Sequence, residues 1–152
     1  METIDKTLWA TDSYQTAMLN FFEDFKSRPE LMDSLQSLIQ SQPALRDGDH
    51  HWRPISTDGT DFGFIDLDNV RGARVIAWSR ILDDQELVCA INLDAQNQAA
   101  VYVTIDDDIH PIGGKALRMF SSDQSPAELN VEVRNGKCIR MTIPPRGLVI
   151  YN

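Results

Sequence analysis

The sequence predicts a mainly β chain, an antiparallel, Greek-key-like β-sandwich preceded by two N-terminal helices. In the first third, apolar residues recur at three- and four-residue spacing, which is typical of amphipathic helices. From His50 onward, short runs of β-branched and aromatic residues are separated by clusters of Gly, Asn, Asp and Pro. Because these runs leave no room for crossover helices, we expect antiparallel sheets.

The two helices are predicted from their caps and their apolar stripes. The first can be capped by Thr11, Asp12 or Ser13 and ends near Pro29. Its stripe consists of Tyr14, Met18, Phe21, Phe22 and Phe25. The second begins with Pro29 and Glu30 in its first turn and is stopped by Pro43. Its stripe consists of Leu31, Leu35, Leu38 and Ile39.

Nine strands are predicted, together with two of the turns that join them. The strands are 50–55, 62–66, 73–82, 86–93, 99–105, 116–121, 129–134, 137–143 and 147–151. Asn135-Gly136 favours a tight hairpin in which both residues take positive φ, and Asp83-Asp84-Gln85 offers a slightly longer connection.

Alternation along the segment 129–143 predicts which side chains face the core. Leu129, Val131 and Val133 should share one face and meet Ile139, Met141 and Ile143. The polar residues of the same segment should face water: Asn130, Glu132, Arg134 and Arg140.

Length and charge limit the kind of protein this is. A chain of 152 residues with 42% hydrophobic and 24% charged residues can bury the core of one domain. Its net charge of −9 argues against a nucleic-acid or anionic-membrane partner, because phosphates are repelled. The first residues lack the basic region of a secretory signal, and no apolar run approaches the roughly 20 residues of a membrane span. A cytoplasmic location is favoured.

Four segments, taken in order, carry a resemblance to a known family. They are 38–48 (Leu-Ile-Gln-Ser-Gln-Pro-Ala-Leu-Arg-Asp-Gly), 75–80 (Val-Ile-Ala-Trp-Ser-Arg), 87–92 (Leu-Val-Cys-Ala-Ile-Asn) and 143–151 (Ile-Pro-Pro-Arg-Gly-Leu-Val-Ile-Tyr). Their order and spacing resemble the end of enzymes of the α-amylase family of glycoside hydrolases. The resemblance covers residues 35–152. Ile39 and Gln40 depart from it, because the family commonly has an Arg there, and the first thirty residues are not matched.

The resemblance implies a division of the chain and a role for it. Residues 1–48 form a helical prefix that resembles the end of a catalytic (β/α)8 barrel, and residues 49–152 resemble the C-terminal accessory β-sandwich. The family's three catalytic carboxylates lie at the carboxyl ends of barrel strands. Their sequence motifs have no counterpart here, so no catalytic residue is assigned. We expect a structural domain without hydrolase activity of its own, with the barrel of a parent enzyme as partner and no cofactor.

Several polar clusters could suggest sites, but each has a simpler interpretation. Adjacent His50 and His51 point to opposite faces of a strand and suit a solvated linker better than a metal site with Asp47 and Asp49. The Asp-rich stretches 106–108 and 58–68 lack the spacing of a calcium loop. Cys89, in an apolar run, is predicted to be a buried core thiol, as is Cys138. No metal is therefore assigned.

Aromatic side chains remain as candidates for carbohydrate stacking. The candidates are Trp9, Trp52, Trp78 and Tyr102. Trp78 lies in an apolar strand and is predicted to be core, whereas Trp52 flanks charged residues and is the weak candidate for a surface site.

Two other functions stay open at this point. The chain could be a free-standing carbohydrate-binding module for an α-glucan. It could instead be an interaction protein that forms a homodimer through the Phe21, Phe25 and Leu35 face of the helical prefix.

Overall fold

The computed structural model of the chain describes residues 6–68 and 72–152, with the side chains of the first helix described from Asp12 onward. Three helices come first: α1 (Lys6–Phe25), α2 (Pro29–Ser41) and α3 (Pro43–Asp47). The strands that follow in the described residues are β1 (Asp49–Arg53), β2 (Ile55–Ser56), β3 (Val75–Leu82), β4 (Gln85–Asn92), β5 (Ala99–Thr104), β6 (Lys115–Ser121), β7 (Glu128–Asn130), β8 (Glu132–Arg134), β9 (Gly136–Ile143) and β10 (Leu148–Tyr151).

The strands form two antiparallel sheets, which confirms the predicted fold class. Sheet A has the order β1-β3-β4-β10-β6-β7, and sheet B has the order β2-β5-β9-β8. The β3–β4 hairpin is the longest pairing, with eight residue pairs from Val75↔Asn92 to Leu82↔Gln85. The chain passes repeatedly between the sheets, so distant segments become neighbours. The last strand, β10, lies in the interior of sheet A between β4 and β6.

The facing sides of the two sheets enclose the first core. Alternate residues of β3, β4, β5, β9 and β10 point into it, as a strand period of two requires. The most deeply buried of these side chains are Ala77, Ala90, Val101, Val103, Ile139, Met141, Ile143, Val149 and Tyr151, all 0% exposed.

A second core lies on the other side of sheet A, under the helices. Ile76, Trp78, Leu87, Cys89, Ile91, Leu148 and Ile150 are on the outer face of the sheet. The helices cover them with Tyr14, Phe21, Phe25, Leu35 and Ala44. Phe25 is 1% exposed and stands 6.4 Å, centroid to centroid, from the ring of Phe120 in β6. The helical prefix and the sandwich therefore share one apolar core.

This packing buries the face of the helices that was predicted to form a dimer. Phe21, Phe25 and Leu35 are 9%, 1% and 4% exposed within the single chain. Their side chains contact the outer face of sheet A, so a dimer that used them would first have to lift the helices from the sheet. Leu19 of α1 is 63% exposed and lies on the side of that helix that faces away from the sheet.

Some predicted element boundaries were wrong. The segment 62–66 is not a strand, because only Gly63 pairs, through a single bridge to Ile55. α1 already runs through Thr11, Asp12 and Ser13, which are therefore not its cap. Pro43 does not simply end α2, because it occupies the first turn of α3, where a missing N–H costs nothing.

The hairpin at Asn135 differs from its prediction in two respects. Gly136 has φ 87°, but Asn135 is not among the described residues with positive φ, and Arg134 pairs directly with Gly136 around a one-residue tip. Val133 is 59% exposed rather than buried. The reason is a break at Val131, where the chain leaves sheet A after β7 and enters sheet B at β8, so alternation does not continue.

Candidate functional site

A buried polar cluster around Glu86 fills one end of the first core. Glu86 is 0% exposed, and its Oε2 accepts a hydrogen bond of 2.7 Å from Nη2 of Arg53. Its Oε1 lies 2.7 Å from Nε2 of His110 and accepts a 3.0 Å hydrogen bond from the amide of Asp106. Nε of Arg53 also donates to Oγ of Ser79 at 2.9 Å. The cluster therefore joins β1, β3, β4 and the turn that follows β5.

The electrostatics of the cluster keep Glu86 ionised. Burial by itself would raise the pKa of this carboxyl. Hydrogen bonds from His110, Ser79 and the Asp106 amide, together with the charge of Arg53, outweigh burial and lower the pKa of Glu86 to about 2. Because an ionised carboxylate only accepts hydrogen bonds, Nε2 of His110 carries the proton and donates to it.

The cluster contains a serine, a histidine and a carboxylate, but not in a catalytic order. A nucleophile relay needs the imidazole between the hydroxyl and the carboxylate. Here the carboxylate of Glu86 is central and holds the other groups around it. Ser79 is 0% exposed, so its hydroxyl is closed to any substrate. The arrangement suits a strut that fixes the end of the sandwich.

The segment 78–80 (Trp-Ser-Arg), one of the family-like motifs, connects the sheet to the helices. Trp78 is 6% exposed in the second core, as predicted, and Ser79 belongs to the Glu86 cluster. Arg80 donates from Nε to the carbonyl of Gly48 at 3.2 Å and from Nη2 to that of Arg46 at 3.4 Å. Its guanidinium thus binds carbonyls at the end of α3, where positive charge is favourable.

The segment 43–48 (Pro-Ala-Leu-Arg-Asp-Gly) is the short helix α3 and its exit. Ala44 is 0% exposed against the second core. A Cβ atom at Gly48 would clash with the carbonyl oxygen of Ala44 and would stand 3.0 Å from that of Ile81. Only glycine fits there, because the backbone of α3 passes directly over the end of β3.

Asn92, which ends the apolar strand of another motif, is a buried connector. Its Nδ2 donates to the carbonyls of Asn97 at 2.8 Å and Ile143 at 3.2 Å, and its Oδ1 accepts from the amide of Asp94 at 2.9 Å. The side chain is 0% exposed and its hydrogen bonds hold the turn after β4 against the end of β9. The last motif, 143–151, contributes the interior strand β10, whose Tyr151 hydroxyl donates to the carbonyl of Pro126 at 2.6 Å.

Trp52, the weak candidate for sugar stacking, belongs to an aromatic cluster at the edge of sheet A. Its ring centroid is 5.4 Å from that of Tyr14, 4.3 Å from His50 and 6.2 Å from Trp78. Trp52 is half-buried, so only part of the indole can stack on a ligand. Tyr102 is also half-buried, under the guanidinium of Arg134 at 4.3 Å. The side chain of Trp9 is outside the described ones, among which no Trp, Tyr or Phe is exposed.

The Asp-rich stretches and the two cysteines have ordinary surroundings. Within residues 6–68 and 72–152, no three His, Cys, Asp or Glu side chains are grouped so that they could hold a metal ion. Asp58 caps a turn, and hydrogen bonds from the amides of Asp61 and Thr60, and from the hydroxyl of Ser56, lower its pKa to about 2. Cys89 and Cys138 are free and buried as predicted, and burial raises the pKa of Cys89 to about 12. None of the described helices combines the length and apolar character that crossing a bilayer requires.

The fold is similar to part of a known enzyme. Two structures of the debranching enzyme from Nostoc punctiforme, one of them described as the native form, match 78% of this chain at 22% sequence identity, with TM-scores of 0.52 and 0.51. The match takes up 20% of those chains, so this chain spans about a fifth of their length. No protein family profile and no curated protein sequence matches it.

Proposed function

We propose that this chain is a non-catalytic accessory domain of an α-amylase-like glycoside hydrolase, which supports a catalytic (β/α)8 barrel in α-glucan metabolism. The observation that carries the proposal is that the four family-like segments make structural contacts within the chain. Three of them place a polar side chain on backbone partners within the chain: Arg80 on the exit of α3, Asn92 on groups of the turn after β4 and the end of β9, and Tyr151 on the carbonyl of Pro126.

The likeness of fold supports the same role. The matched part of the debranching enzyme is a minor share of a longer chain, as an accessory domain would be. The buried ion cluster adds to this, because Arg53 and His110 both bind the carboxylate of Glu86 and the group fills the end of the sandwich. Such a group suits a rigid support better than a reacting centre.

The alternatives have less support. A carbohydrate-binding module needs aromatic rings open on one face, and Trp52 and Tyr102 are each half-buried beneath neighbours. An interaction protein that dimerises through the helices needs the face that Phe25 and Leu35 bury inside the chain.

An activity assay on the purified chain tests the proposal. The protein is incubated with soluble starch, with linear maltooligosaccharides and with a glucan branched through α-1,6 linkages. We expect no new reducing ends above the blank. Release of reducing ends that elutes together with the folded chain through two different columns would overturn the proposal. Calorimetric titration of the same preparation with maltooligosaccharides distinguishes the binding-module alternative, which predicts measurable heat.

A further inference from the structure

A cavity of about 280 Å³ lies between the outer face of sheet A and the three helices. Its floor includes Trp78 and Ile150, and its roof includes Met18 and Phe22 of α1 and Met32 of α2. Nearly all of the lining is apolar. Methionine and aromatic side chains line many sites for small apolar ligands, because they offer adaptable surface at little polar cost.

The polar groups of the cavity are concentrated at one end. They come from His50 and Arg80, which are direct cross-strand partners in the β1–β3 pairing. Nε and Nη2 of Arg80 bind backbone carbonyls, but Nη1 makes no hydrogen bond to any residue that the structure describes. No carboxylate in the described residues forms an ion pair with this guanidinium, although the chain carries an excess of acidic residues.

His50 offers a second, uncharged group at the same end. Its ring lies 4.3 Å from that of Trp52 and is stacked at 6.1 Å on that of Trp78. Burial of part of the ring, and then the charge of Arg80, lower the pKa of His50 to about 4. The imidazole is therefore neutral at pH 7 and can donate one hydrogen bond without adding charge.

We propose that this cavity binds a carboxylate that carries a medium-length alkyl chain, with the carboxylate on Arg80 and His50 and the chain along Trp78 and the methionines. An arginine without a carboxylate partner, at one end of an apolar cavity, fits a ligand with one anionic head. An engineered apolar cavity of about 150 Å³ holds benzene, so the larger volume here suits a chain of about eight carbons. This site is separate from the accessory role, because it depends on the helix–sheet contact alone.

Titration with octanoate tests the site on the intact chain. We expect saturable binding by calorimetry, and binding of octan-1-ol, which has the same chain without charge, at least tenfold more weakly. In spectra of the protein with labelled methionine methyl groups, the signals of Met18 and Met32 should move, whereas that of Met141, in the other core, should stay.

Three variants separate the head-group contact from the apolar contact. Arg80→Gln should weaken octanoate binding about tenfold and leave octan-1-ol unchanged. Arg140→Gln, an exposed arginine on β9, is the matched control and should bind octanoate normally. Met32→Trp should fill the cavity and abolish the binding of both ligands.

Three results would each overturn the site: no octanoate binding, octan-1-ol binding as tightly as octanoate, or shifts that bypass Met18 and Met32. Because Arg80 also binds the end of α3, the fold of Arg80→Gln is checked by circular dichroism. If that variant is unfolded, the comparison of octanoate with octan-1-ol and the folded Met32→Trp variant decide the question.

Discussion

Replacement of Glu86 by Gln should destabilise the chain by about 3–5 kcal/mol, the usual cost of removing one partner from a buried ion pair. The side chain is 0% exposed, and both of its oxygens accept hydrogen bonds. Gln has the same shape but turns an NH₂ group toward either Arg53 or His110, each of which is a donor. The free energy of unfolding is measured in urea by circular dichroism.

The triple variant Arg53→Met, Glu86→Leu, His110→Leu is the control for this result. It removes the three ionisable groups together, so no buried charge is left without its partner and only the hydroxyl of Ser79 and the amide of Asp106 lose a hydrogen bond. It should therefore be more stable than Glu86→Gln alone. An unfolding free energy of Glu86→Gln within about 1 kcal/mol of the parent would contradict a strut role for the cluster.

The difference in unfolding free energy between the parent and Glu86→Gln should depend on pH. The pKa of Glu86 is about 2 in the folded chain, against 4.5 for the ordinary group. Between these values the unfolded chain binds a proton that the folded chain does not, so the stability due to Glu86 is complete above pH 4.5 and is lost as pH falls toward 2. The stability difference between the parent and Glu86→Gln should therefore shrink across that window.

Residues 49–152 expressed without the helices should not give a soluble monomer. In the whole chain the outer face of sheet A is covered, with Ile76, Ile91 and Leu148 at most 1% exposed and Trp78 at 6%. Removal of the helices exposes this face as one apolar patch, and patches of this kind drive association. Soluble yield and light scattering measure the outcome.

Supplying residues 1–48 as a separate polypeptide is the matched control for that truncation. It should restore a soluble one-to-one complex, because the second core is rebuilt between the two pieces. A stable monomer of residues 49–152 would show that the predicted boundary at Gly48 separates independent domains and that the helices are dispensable.

The fold was largely predictable because its patterns are local. The apolar runs of β3 and β4 and the helical stripe through Phe21 and Phe25 lie where spacing indicated. The error at Val133 occurs where the chain changes sheets. Val133 continues the sequence alternation of Leu129 and Val131, but its side chain is exposed because it lies beyond the break at Val131, and no local pattern marks that break.

The polar cluster was missed for a similar reason. Glu86 opens the run Glu-Leu-Val-Cys-Ala-Ile and shares the phase of Val88 and Ala90, which face the first core. A charged residue that shares the alternation of core-facing residues is predicted to be buried. Its partners Arg53 and His110 are 33 and 24 residues away in the sequence, however, and only the sheet topology brings them together.

The state of the chain in the cells that express it tests the accessory role most directly. An antibody against residues 49–152 is used to isolate the native species, whose sequence and mass are read by mass spectrometry. The account predicts that the same polypeptide, or a stable complex, also contains a (β/α)8 barrel with the three carboxylates of the α-amylase family. Recovery of the 152-residue chain alone, free of any barrel, would contradict it.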